Sequence, residues 1–358
     1  MISENKINYS SNTPVNNLTA FWAFSEGFLG GILNALKIPF KGLLLGNISV
    51  TIIIFIAGLT NKKGAILKAG IITTIVKAIV SPYSSIPAYF AVIIQTLLGE
   101  LFFLGRKFKL LSGIMLGIIT SLISSVQRVI ILTLIFGNAF WDTIDRFSAY
   151  IYNEFFGGNV IPDDFNFSSL LIGIYMTIHV IAGFLTGLYA TKLSIKTIAN
   201  NSSASELIDE INKENLLKSK EELTSSHKKK SRSLKFTEFI LYLFLITVLV
   251  LSYVLNNKEG ISYFESNSVW IMLVRSVIIM VLWFKFLGPF LRFLIRSGLL
   301  KNRNKYSGEI QYTLSIFPFI KQLIFFAWKK SEGKGLKKIS GFTGIFLPVI
   351  LQYEKPEV

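Results

Sequence analysis

An all-α, polytopic membrane fold is what this sequence predicts, on three observations. Half of the 358 residues are hydrophobic (51%), only 16% are charged, and mean hydropathy is +0.54. A soluble domain carries roughly 25% charged residues. The charges gather into short clusters, and between them run apolar stretches close to the about 20 residues that a helix needs to cross hydrocarbon. Those stretches do not alternate: Val50–Leu59 reads VTIIIFIAGL, without the period of two that marks a transmembrane barrel strand. Lipid offers backbone amides no partner, so such runs must be helices.

Eight spans are expected in order. The first, Leu18–Ile38, is interrupted by Glu26 and several glycines. Gly42–Thr60, Gly64–Val80, Ser84–Leu104, Leu110–Phe136 and Ser168–Thr191 complete a six-helix bundle. Phe236–Leu255 and Val269–Phe293 form a two-helix C-terminal membrane module, while Phe342–Leu351 is apolar but too short to span. Domain limits follow from composition. Residues 1–18 are a polar tail without the pattern of a secretory signal. Residues 19–193 are the bundle, and 194–234 a Lys-, Glu- and Ser-rich linker. The two-span module is 235–299, and 300–358 is a basic tail. Within that tail Ile310, Leu314, Phe317, Ile320, Leu323 and Ile324 recur at helical spacing, as in an amphipathic helix on a membrane surface.

Orientation comes from the short loops. Lys62–Lys63, Arg106–Lys107 with Lys109, Lys228–Lys230 with Arg232, and the run from Arg292 to Lys305 all share one side if the N-terminus is inside. The positive-inside bias then puts both termini in the cytoplasm of a cell bounded by this inner membrane. On the opposite side, 140–165 holds five acidic residues against Arg146 alone. The net charge of +16 is therefore spent on orientation and the lipid bilayer, not on nucleic acid. No cysteine and only two distant histidines, His179 and His227, exclude thiolate and His-pair metal sites. Phosphate-loop, zinc-protease and serine-elbow motifs are missing. No enzyme activity and no cofactor are implied.

Four features remain. Ala23, Gly27, Gly31 and Ala35 lie four apart in the first span. Such a stripe lets another helix approach closely, either inside the bundle or on a separate subunit. Polar groups inside the spans form the second feature. Counted at about 1.5 Å per residue, Asn47, Lys77, Tyr83, Tyr89, Gln127 and Arg128 fall in the outer half, with Gln95 and His179 nearer the middle. Lys77 and Arg128 have no evident acidic partner at their depth. They either snorkel or line an outward pocket for a polar or anionic solute. Third, Lys68 and Glu100 come to similar depth and are expected to pair, whereas Glu26 is left open. Fourth, the Ser81–Tyr89 loop, with Pro82 and Pro87, suits a lid or a rigid connection.

With six spans, both ends inside, and the stripe Ala23-Gly27-Gly31-Ala35, residues 21–193 resemble the substrate-binding (S) component of energy-coupling factor vitamin transporters. The stretch from Gly46 to Phe103 shares the family's cadence: a span ending Ala-Gly-Leu, a short basic loop, a Gly/Ala-rich helix and a Ser-Pro loop. The resemblance implies a small vitamin-like solute bound near the outer face. It also implies a transmembrane coupling subunit docked on the stripe, and two cytoplasmic ATPases. Asn47, Lys77, Tyr83, Tyr89, Gln95, Gln127 and Arg128 would be the pocket candidates. The two extra spans and basic tail depart from that family. A non-transport scaffold or assembly factor is the alternative.

Overall fold

The computed structural model describes residues 13–36, 40–81, 84, 86–105, 109–156, 165–199, 207–208, 211, scattered positions from 274 to 293, and 305–354. All regular structure among them is helical. The helices are α1 (Thr13–Phe24), α2 (Gly30–Ala35), α3 (Lys41–Leu59), α4 (Ala65–Val80), α5 (Ile86–Phe103), α6 (Lys109–Phe136), α7 (Asn138–Phe156), α8 (Phe167–Ala199), α9 (Ser307–Ser315), α10 (Phe317–Lys330) and α11 (Leu336–Gln352). A π-helical turn, Ser25–Leu29, joins α1 to α2. Among the described residues, α3, α6, α8 and the α9–α10 pair are each long and apolar enough to cross a membrane, which marks a membrane protein of several passes. The exposed apolar stripe of α8 (Leu170, Ile174, Ile178, Ile181, Leu185, each more than 40% exposed) is costly in water and ordinary in lipid. The expected seventh span, and all but scattered residues of the eighth, lie outside the described residues.

Two compact units divide the chain: Met1–Leu122 with Val180–Thr224 and Arg296–Val358, and Ile123–His179 with Ser225–Ile295. In the first, α1 is the buried axis. Leu18, Ala20, Trp22 and Ala23 have no exposed surface, and α3, α4, α9, α10 and α11 all pack on α1. One hydrophobic cluster joins Leu18 and Trp22 to Ile53 and Phe55 of α3, Ile320 and Leu323 of α10, and Phe346 and Ile350 of α11. The apolar stripe of the tail is therefore not left for a membrane surface: Ile310, Ile320 and Leu323 are buried. A side-chain amide fastens this contact. Asn17 Nδ2 donates to the carbonyls of Ile350 (2.9 Å) and Tyr353 (2.8 Å), and Asn17 Oδ1 accepts from the Tyr312 hydroxyl (2.5 Å). Both amide hydrogens and the oxygen are satisfied, as a fully buried Asn requires.

A second joint in this unit uses no side chains. A Cβ on Gly117 would stand 2.2 Å from the Gly183 carbonyl oxygen, and one on Gly187 would stand 2.4 Å from that of Gly113. Helices α6 and α8 thus cross backbone against backbone, through two Gly-x-x-x-Gly pairs.

The Lys68–Glu100 pair does not form. Glu100 instead accepts the backbone N–H groups of Gly64 (2.6 Å) and Leu67 (3.2 Å), because the first turn of α4 has no internal acceptor for them. Lys68 turns to Glu309 of α9, 2.6 Å away.

The second unit replaces an expected loop with a helix. Residues 140–165 read as an acidic loop, yet α7 fills most of that stretch. Its Asp145 accepts from the backbone N–H (2.5 Å) and hydroxyl (2.8 Å) of Ser168, closing the start of α8. Trp141 Nε1 donates to the Thr133 hydroxyl of α6, 2.9 Å away.

Candidate functional site

The densest buried polar group lies where α1 turns into α2. Glu26 sits on the π turn, whose backbone closes from Gly30 N–H to Ser25 O, five residues back. Such turns recur at functional positions. The next residue, Gly27, is small enough for α4 to come close: a Cβ there would lie 3.5 Å from Val80 and 3.9 Å from the Lys77 backbone. That approach brings Lys77 Nζ within 2.6 Å of Glu26 Oε2, with the two side chains only 3% and 5% exposed. Lys77 is not an unpaired cation. Its ammonium also donates to the Ala88 carbonyl (3.0 Å) and lies 5.6 Å from the centre of the Tyr89 ring. On the other side, Ser49 Oγ of α3 donates to Glu26 Oε1 (2.9 Å) and accepts from Trp22 Nε1 (2.9 Å). The Tyr89 hydroxyl donates to Ser81 O, 3.2 Å away. Helices α1, α3, α4 and α5 and the π turn thus supply one chain of contacts: Trp22, Ser49, Glu26, Lys77, Tyr89.

Two polar atoms in this unit are buried with no partner among the described residues: Gln95 Oε1 and Thr73 Oγ1. Thr73 precedes Lys77 by one helical turn and so shares its face. Gln95 follows Tyr89 on α5, about 9 Å along the axis. Its amide nitrogen lies 3.4 Å from where a Gly46 Cβ would stand. Beside Gly46, Asn47 Oδ1 accepts from the Ser121 hydroxyl of α6 (3.3 Å). A buried acceptor without a donor costs about 1–3 kcal/mol, so Gln95 is held in a state that a hydrogen-bonding ligand would relieve.

Of the expected pocket residues, Lys77 and Tyr89 are in contact, and Asn47 and Gln95 belong to the same unit. Gln127 and Arg128 belong to the other unit, where Arg128 is exposed and within electrostatic reach of Tyr175. Tyr83 lies outside the described residues. In the small-residue stripe, Ala23 packs on Ile72, Ile75, Val76 and Ile310, Gly27 faces α4, and Gly31 has nothing within 4 Å of an added Cβ. The Ala35 side chain is outside the described set. Sequence reading missed Trp22 and Ser49. Ser49 was detectable as a hydroxyl inside an apolar run, next to Asn47; Trp22 had no local signal.

Among known protein families, curated proteins and solved structures, nothing matches this chain.

Proposed function

We propose that the chain is the solute-binding membrane component of an uptake system for a small, vitamin-like molecule, energised by separate coupling and ATPase subunits at the inner membrane. The observation that supports this reading is the Glu26–Lys77 constellation. A buried ion pair adds little net stability, and apolar residues of similar volume often serve as well or better. Ionisable groups inside a membrane are costly and commonly functional. Here they border a Tyr ring and a hydroxyl, and the same unit holds the Gln95 acceptor that has no partner among the described residues, a set of groups suited to recognising a polar solute. An anionic group on that solute would have to take Lys77 from Glu26, so binding and breaking the pair would be one event. The resemblance implies a coupling subunit docked on the Ala23-Gly27-Gly31-Ala35 stripe. Ala23 and Gly27 already serve this chain, so Gly31 is the position open to a partner.

The test is equilibrium binding of the small molecule that co-purifies with the chain, identified by mass spectrometry. Lys77→Met alone would strand Glu26, so the variant to use is the pair Glu26→Gln with Lys77→Met. Affinity should fall at least tenfold in this double variant while the helical spectrum is kept. Unchanged affinity would place the solute elsewhere. Gly31→Leu should remove partner association without loss of binding.

The docking of α9–α11 on α1 favours a second reading, a membrane scaffold whose basic tail recruits partners. In that case no small molecule co-purifies, and the Glu26 and Lys77 substitutions change only stability.

A further inference from the structure

A second feature of the first unit stands apart from the polar constellation. A cleft of about 240 Å³ lies between α3, α5, α6 and α8. Its place along the bundle follows from the residues that line it. Gly58 is near the last residue of α3, Phe103 ends α5, Lys109 begins α6, and Ile195 and Ile198 lie in the last turns of α8. All four helices contribute the same end, the end expected to face the cytoplasm. Gly58 makes the floor because a side chain there would meet Ser194 Oγ at 2.8 Å and Ile198 at 2.9 Å.

Apart from Lys109, Thr191 and Ser194 the lining is apolar. The Thr191 hydroxyl is already spent on its own helix, donating to Gly187 O at 2.7 Å. Among the described residues Lys109 is the only charged one in the lining, and it opens α6, where the helix dipole is also positive. Exposed Lys192 and Lys196 stand on the same end of α8. Exposed apolar side chains accompany the lining. Ile195, itself a lining residue, is 60% exposed, and Leu104 and Leu110, next in sequence to the lining Phe103 and Lys109, are 46% and 44% exposed. The volume is below the about 300–1,000 Å³ of pockets that enclose a whole drug-sized molecule. Largely apolar walls, an exposed apolar lining residue and a cation in the lining match one ligand class. Basic pockets between helices on the cytoplasmic side are suited to anionic headgroups.

We infer that this cleft holds one acyl chain of an anionic phospholipid of the inner leaflet, with Lys109 on the phosphate. The assignment does not depend on what the Glu26–Lys77 site binds. To test it, the full chain is delipidated in detergent and offered phosphatidylglycerol and phosphatidylcholine of identical acyl composition. Bound lipid is counted by native mass spectrometry. Phosphatidylglycerol should be retained about fivefold better, the contribution of one basic residue near a charged surface. Lys109→Gln should remove that preference. Ile195→Trp, at a largely exposed position that leaves the fold intact, should reduce retention of both lipids by filling the cleft. Equal retention by the wild type, a preference that survives Lys109→Gln, or retention untouched by Ile195→Trp each overturns the assignment. Soluble glycerol phosphate at millimolar concentration should leave the lipid in place. Complete displacement by it would show that the acyl chain contributes nothing, and would overturn the assignment too.

Discussion

Two joints in the first unit solve the same problem by opposite means. Lipid tails are as apolar as leucine, so helices in a membrane are not driven together by the hydrophobic effect. At the α6–α8 crossing the solution is to remove side chains, and Gly113, Gly117, Gly183 and Gly187 let backbone touch backbone. At α1 the solution is polar. Glu26 is paired with Lys77 on α4, and Asn17 holds α9 and α11. Both joints carry small residues four apart, yet only one uses them to the limit. The stripe from Ala23 to Ala35 leaves ordinary contact distances at Gly27 and open space at Gly31. The glycine crossing has a single geometry. The polar joint is held instead by one ion pair and a few directed hydrogen bonds.

Substitutions can break this contrast in graded steps. Glu26→Gln should cost the most, about 3–5 kcal/mol, because it strands a buried ammonium. Unfolding in micelles should show it, and adding Lys77→Met should restore most of the loss. Asn17→Ala comes next at about 3 kcal/mol. It leaves two carbonyls and the Tyr312 hydroxyl short of a partner, and proteolysis should then release residues 305–354 first. Gly117→Ala or Gly183→Ala should cost about 2 kcal/mol through overpacking against backbone that cannot rotate away. If either proves silent, the helices separate freely and the crossing is no fixed joint. Gly27→Ala should change stability by less than about 1 kcal/mol, since its Cβ would meet Val80 at 3.5 Å. Gly31→Leu should leave the melting temperature unchanged, and any effect on uptake then reports a partner.

Helix limits were legible because an apolar run has a length that lipid imposes. Expected and observed ends of α3, α4, α5 and α6 agree within two residues. Half of the site was legible as well: Lys77 and Tyr89 stood out as polar groups in apolar helices. Glu26 stood out too, as a break in the first span, but its pairing with Lys77 did not. Helix α1 is already formed at Thr13, five residues before the expected Leu18. At about 1.5 Å per residue that error moves Glu26 by roughly 7–8 Å along the axis, enough to set it in the wrong half of the membrane from Lys77. The tail was misjudged for another reason. An amphipathic stripe looks the same whether it meets a membrane surface or another helix, and contacts across more than 290 residues leave no local pattern. In α6 and α8 the glycine pairs were in plain view, but two separate Gly-x-x-x-Gly motifs do not announce that they face each other.

Asn17 reaches its last partner 336 positions later in the chain. At about 5–20 residues per second, the ribosome needs roughly 20–70 s to deliver it. Through that interval the Asn17 amide waits on α1. Lys77 reaches Glu26 early, but the clasp from α9 and α11 needs a partner 295 residues further on. Biogenesis therefore leaves α1 unfinished and returns to it. A chain truncated near residue 300 would leave α1 without that closure, so loss of residues 305–354 should be felt at α1.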